Sequence, residues 1–262
     1  EENIYKVFIS MRYWKPFVNE TIKEVINWSP QEVILLPLYP QFSTTTSGSS
    51  LVSWRDAALK NKYQIPTKII CCYPTEENFI LAHTKSIKNT LNKIKNNKDQ
   101  KQNIKLLFSA HGLPEKIINK GDPYQNQVEK TVNKIIENIN EKEITYTICY
   151  QSKVGPLKWI GPSTENEIIK AARDKKTIVL IPIAFVSEHS ETLVELDIEY
   201  KEIAKINGCK RYYRVPALGI HKDFINSLYN LILINSNNII LNKKICQSKF
   251  KECFFNTLWE NK

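Results

Sequence analysis

Short, unbroken apolar runs alternate along this chain with longer amphipathic stretches. Runs at 33–38, 68–72, 104–109, 146–151, 177–185 and 211–215 predict strands. Amphipathic patterns at 16–27, 49–62, 76–95, 123–140, 163–174, 188–207 and 222–234 predict helices. Ile178-Val179-Leu180-Ile181 is apolar at successive rather than alternate positions. That suits a parallel strand covered on both faces. Strand–helix alternation of this kind predicts a doubly wound α/β fold. Ligands in such folds bind beyond the carboxyl ends of strands. The segments 40–50, 110–114, 152–162 and 186–191 are therefore where chemistry is sought first.

Composition narrows the classes. Of the 262 residues 42% are apolar and 24% charged, ordinary for a globular protein that buries its own core. The net charge of +10 comes with no basic stretch interleaved with aromatics, so no nucleic-acid partner is expected. Six cysteines occur without a C-x-x-C pair, which predicts a reducing, cytoplasmic setting. No apolar run reaches the length of a membrane span. Seven glycines form none of the common phosphate-cradling motifs, so no nucleotide site is expected. The chain opens Glu1-Glu2-Asn3 and enters a strand-like segment at once, from which we expect further residues upstream.

Four constellations could carry chemistry. In Ser109-Ala110-His111-Gly112-Leu113-Pro114, His111 sits where a strand ends. It could take a proton, bind a borderline metal, or serve as a hydrogen-bonded loop residue. His83 and His221 show no such context.

The second is Ser187-Glu188-His189-Ser190-Glu191. On an α-helix, Glu188, Glu191, Glu195, Glu199 and Glu202 fall within an arc of roughly 80°. Leu193, Leu196, Tyr200 and Ile203 form a separate apolar arc. The carboxylate stripe reads either as a solvated face or as a path for a divalent cation or for protons. Like charges at this spacing disfavour a helix, so Gln at Glu195 or Glu199 is expected to leave stability level or raise it.

The third joins Arg12-Tyr13-Trp14 to Tyr39, Ser43 and the hydroxyl-rich stretch to Ser50. It suits a flat apolar ligand with acidic substituents, or a core cluster with a helix cap. The fourth is Gln151-Ser152-Lys153-Val154-Gly155-Pro156 with Trp159-Ile160-Gly161-Pro162-Ser163. It offers Lys153 and Trp159 to a ligand, with Ser163 as the cap of the next helix.

Taken together the motifs resemble the ferrochelatase family. Met11-Arg12-Tyr13, Tyr39-Pro40-Gln41, Thr45 to Ser50, Phe108 to Pro114, Lys120-Gly121-Asp122-Pro123-Tyr124, Gln151 to Pro156, Trp159 to Pro162 and Pro182 to Tyr200 run in family order. The resemblance implies two Rossmann-like, chelatase-type α/β domains with the active-site cleft between them. The expected divisions are 1–75 as the remainder of the first domain, 76–225 as the second, and 226–262 as a carboxy-terminal helix and tail packing back on the first. It implies insertion of Fe²⁺ into protoporphyrin IX with release of two protons. His111 and Glu191 would be the catalytic, iron-contacting pair. Glu188, His189, Glu195 and Glu199 would form an acidic path. Arg12, Tyr13, Tyr39, Ser43, Lys153 and Trp159 would line the porphyrin.

Porphyrin and ferrous iron are the implied partners, with a monomer or dimer and peripheral contact with the inner membrane through the family's lip. That lip, and the Asn-Leu-Gly-Gly-Pro stretch, have no match here. Some members carry a 2Fe-2S cluster on tail cysteines. Such a cluster needs four thiolates. The tail here has only Cys246 and Cys253, so no cluster, and no cofactor beyond substrate iron, is expected. Chelation of another metal or tetrapyrrole, and porphyrin binding without catalysis, are the alternative readings.

Overall fold

The computed structural model describes residues 4–96, 103–141, 144–236, 247 and 249–253. Strands β1 (Val33–Leu35) and β2 (Thr67–Ile69) form a parallel pair flanked by α1 (Val18–Trp28) and α2 (Ser49–Lys60). A second, four-stranded parallel sheet holds β3 (Ile104–His111), β4 (Thr145–Gln151), β5 (Thr177–Pro182) and β6 (Tyr212–Arg214), in the order β4-β3-β5-β6. The chain crosses from β3 outward to β4, then back over β3 to β5. β3 is thus the strand at which the winding reverses, and its carboxyl end opens a crevice.

All six residues of β5 are buried, as its unbroken apolar run requires. One face of this sheet packs Phe108, Ala110, Val179 and Ile181 against α3 (Glu77–Lys95) and α5 (Tyr124–Ile139). The other packs Leu107, Cys149, Ile178 and Leu180 against α6 (Thr164–Arg173) and α7 (Tyr200–Ile206). Helix starts follow local chemistry. The Ser163 hydroxyl accepts the Asn166 amide at 3.2 Å, and the Glu76 carboxylate accepts that of Phe79 at 2.7 Å.

The two sheets are tied by buried polar groups. Gln127 accepts the Phe42 amide at 2.7 Å, and Gln41 donates to Thr131 at 3.1 Å. Asp122, 1% exposed, accepts Ser43 Oγ at 3.0 Å and both the amide and hydroxyl of Thr44 at 2.7 Å.

Three expectations change. The short helix α4 (Glu115–Asn119) and the π-helical turn Thr44–Gly48 were not foreseen. The segment expected as one α-helix over 188–207 is a π-helix at Glu191–Glu199 followed by α7. The wider i→i+5 turn rotates the side chains. Thr192, Leu196 and Tyr200 face the core, and Leu193, expected in the apolar stripe, is 48% exposed. Finally, the division at 225 falls inside α8 (Lys222–Ser236), which packs mainly on α3 and also reaches β1. Most of the tail, with Cys246, lies outside the described residues. Cys253 is buried.

Candidate active site

His111 is the last residue of β3, and the backbone around it is pinned. The Gly112 amide donates to the Gln151 carbonyl at 2.8 Å, and the Tyr124 hydroxyl donates to the His111 carbonyl at 3.1 Å. Gly112 cannot be replaced cheaply. An added Cβ would stand 2.8 Å from the Gln151 oxygen and 3.2 Å from the Trp159 ring. The His111 imidazole points across the strand ends, with Nδ1 2.9 Å from Glu191 Oε2 at the start of the π-helix. Both side chains keep over a third of their surface exposed, at 38% and 37%. Phe185 stands edge-on to His111 with ring centres 6.5 Å apart, and to His189 at 4.7 Å.

The hydrogen bond from His111 holds the Glu191 carboxyl below its ordinary range, against the opposing effect of burial. The charges of His111 and His189 act in the same downward direction. An ionised Glu191 can only accept. Nδ1 of His111 therefore donates in this bond, and Nε2 is the ring nitrogen the bond leaves free.

Glu195, one π-turn on, is held by donors alone. They are Gln151 Nε2 at 2.8 Å, Ser152 N at 2.9 Å, Ser152 Oγ at 2.6 Å and Tyr200 Oη at 2.8 Å. Ser152 reaches it with its amide and hydroxyl from a left-handed conformation, φ 61°. Gln151, 1% exposed and level with His111 in the neighbouring strand, also donates to the Glu191 carbonyl at 3.2 Å. Its own oxygen accepts Ser109 Oγ at 2.7 Å. Glu195 and Glu199 line a cavity of about 270 Å³ together with Ser152, Lys153 and Glu165.

The row of carboxylates is thus Glu191, Glu195 and Glu199. Glu188 and Glu202 leave it. Glu188 is bound by Arg214 at 2.8 Å, and Glu202 pairs with Lys205 at 3.5 Å on the surface. Glu188 lies before the helix begins, and the wider turn of the π-helix carries Glu202 out of line. His189 stays beside the row, its Nδ1 accepting the Glu191 amide at 3.2 Å.

The residues expected to line a porphyrin divide. Arg12 donates to Ser49 Oγ at 2.6 Å and lies 4.8 Å over the Tyr13 ring. Tyr13 is 72% exposed and Tyr39 39%. Burial raises the Tyr39 hydroxyl pKa, and nearby Tyr13 and Glu191 raise it further, which puts Tyr39 within electrostatic reach of both. Lys153 is exposed, and Trp159 covers Gly112. Ser43 is corrected. It is fully buried, with its hydroxyl committed to Asp122 and to the Thr45 amide, and has no surface to offer a ligand.

Sequence reasoning missed Gln151, Ser109 and Tyr200 as members of this network. Gln151 lay in a segment already singled out, and its place in a strand-end triplet was the available signal.

A family model described as "Ferrochelatase" matches residues 1–235. The chain belongs to the ferrochelatase family. The ferrochelatase of Pelagibacter ubique is 58% identical over 254 residues, covering 95% of this chain and 72% of the relative. That of Rickettsia prowazekii is 51% identical over 258 residues, with 95% and 72% covered. Among solved structures, SirB from Bacillus subtilis with Fe³⁺ superposes with a TM-score of 0.61 at 14% identity, covering 86% of this chain and 80% of that one. CbiX, described as the terminal enzyme for siroheme biosynthesis in denitrifying bacteria, gives 0.52 at 12%, with 79% and 77% covered. At such identities the structural matches speak for the α/β chelatase fold alone.

Among the described residues, no group of three or more His, Cys, Asp or Glu side chains is placed to hold a metal ion, and no helix is long and apolar enough to cross a membrane.

Proposed function

We propose that this ferrochelatase-family chain inserts Fe²⁺ into protoporphyrin IX to form haem, the last step of haem biosynthesis. The observation that carries the reading is the 2.9 Å contact between His111 Nδ1 and Glu191 at the open end of the reversal strand. Four Fe–N bonds form and two pyrrole N–H bonds break, so two protons need an acceptor. His111 presents Nε2 as that acceptor, and Glu191 stabilises the imidazolium through Nδ1. This is the same use of a carboxylate to orient and support an imidazole base that recurs in other enzymes. Two side chains at a strand end also suit a substrate metal that must pass on: an imidazole and a carboxylate are borderline and hard ligands, too few to trap iron. Glu195 and Glu199, leading from Glu191 into the cavity, give protons or hydrated iron a polar route.

Arg12, Tyr13, Tyr39, Lys153 and Trp159 line the macrocycle in this reading. No cofactor beyond substrate iron is needed. We place the protein in the cytoplasm, against the membrane surface, as a monomer or dimer. Residues 1–75 belong to the first domain. The second begins at 76, and α8 closes it against α3. Anaerobic incubation with protoporphyrin IX and Fe²⁺ tests the reading. It predicts loss of porphyrin fluorescence with growth of the haem spectrum at a rate proportional to enzyme. A rate equal to the enzyme-free control would refute it.

A further inference from the structure

One guanidinium binds residues on both sides of Glu191 in the chain. Arg214 ends β6 with its side chain only 11% exposed. Its Nε and Nη2 donate to the two oxygens of Asp197 at 2.7 and 2.8 Å, a planar fork. Its Nη1 donates to both oxygens of Glu188 at 2.8 and 3.1 Å. Glu188 in turn accepts the Ala217 amide at 2.9 Å. Glu188 precedes Glu191 in the chain and Asp197 follows it. The same strand holds the segment a third time, through the Tyr212 hydroxyl on the Leu196 carbonyl at 2.6 Å.

These contacts bear on the site because, among the described residues, the hydrogen bonds from the π-helix to the ends of β3 and β4 are made by Glu191 and Glu195. Sliding or turning it would carry the Glu191 carboxylate off His111 Nδ1. Resting on the reading above, we infer that Arg214 is a positioning residue for metal insertion, holding Glu191 against His111 by clasping Glu188 and Asp197. Arg214 touches neither porphyrin nor iron. A lysine could not replace it, since one ammonium is a point donor and cannot fork to Asp197 while spanning to Glu188.

The test compares wild type, R214Q, R214K, E191Q and R214Q/E191Q in anaerobic metal insertion, with turnover expressed per folded molecule. Porphyrin binding is measured separately with protoporphyrin IX alone. R214Q should lose about 10- to 100-fold in kcat, the scale of a misplaced catalytic group, with porphyrin affinity within about twofold of wild type. R214K should recover little of this. In the E191Q background the further loss from R214Q should shrink to less than about threefold, because there is no longer a carboxylate to position. Wild-type turnover in R214Q, or an undiminished loss in the E191Q background, would overturn the inference. Should R214Q not fold, D197N and E188Q each release one arm and should lower kcat in the same direction, and full activity in both would overturn it equally. A wild-type chain that forms no haem would instead strike the underlying reading.

Discussion

His111 sits between two backbone bonds on the last residue of a buried strand, with Glu191 locked opposite it. Tyr13 and Trp14, by contrast, stand 72% and 73% exposed on an extended stretch, and Arg12 meets Ser49 from the same stretch. The strand-end group is fixed by the sheet, so its geometry is ready before any ligand arrives. The aromatic stretch gives surface instead of geometry. This division fits metal insertion, in which proton transfer demands position and a flat macrocycle demands apolar area.

The contrast can be broken at its rigid side first. H111A should lower turnover by at least about 100-fold, the usual contribution of a positioned base, while porphyrin still binds, as measured by fluorescence quenching. Retention of more than a tenth of the activity would remove His111 from its role.

E195Q comes next, and here the structure reverses the sequence-based expectation of a neutral change. All four partners of Glu195 donate, so a Gln amide must turn one N–H group toward another donor. A melting-temperature drop corresponding to about 1–3 kcal/mol is expected, with turnover reduced by roughly tenfold. An unchanged melting temperature would mean that the donor set does not hold the residue.

A third variant separates the packed core from the site. His83 is buried, with no hydrogen-bond partner for Nε2 among the described residues, and burial, helped by His221, lowers its pKa to about 3. The native state thus stays unprotonated while the unfolded chain takes up a proton near pH 6.5. Stability is fully present above that pH and falls as the pH drops from 6.5 toward 3, by up to about 1.4 kcal/mol per pH unit. H83F, packed on Phe79 as His83 is, should flatten the dependence of melting temperature on pH in this window. A slope equal to that of wild type would contradict the assignment.

The smallest effect belongs to the exposed side. Y13A should change stability by less than about 0.5 kcal/mol. Its effect should be confined to porphyrin affinity, read as Kd against an unchanged melting temperature.

Much of this was legible in the chain. Continuous apolar runs marked β3 and β5, and the winding rule then placed His111 at the crevice. What failed was the period. Reading 188–207 at the α-helical repeat put Glu188 and Glu202 in line with Glu191 and buried Leu193, but i→i+5 bonding leaves no mark in an apolar pattern that short. Ser43 failed for a different reason. A hydroxyl in a polar loop reads as ligand-facing until Asp122, far along the sequence, is seen to bury it. The donors around Glu195 come from the last residue of β4, from Ser152 just after it and from the start of α7, and only the fold brings them together.

The claim at the centre of this account is that His111 and Glu191 work as one unit, the carboxylate acting through the imidazole. Single-turnover, anaerobic metal insertion by H111A, E191Q and the H111A/E191Q double variant tests it most directly. Groups that act as a unit are strongly non-additive. The double variant should therefore fall within about threefold of the slower single variant. If the two losses instead multiply, each residue acts alone and the pair is not the engine of the reaction.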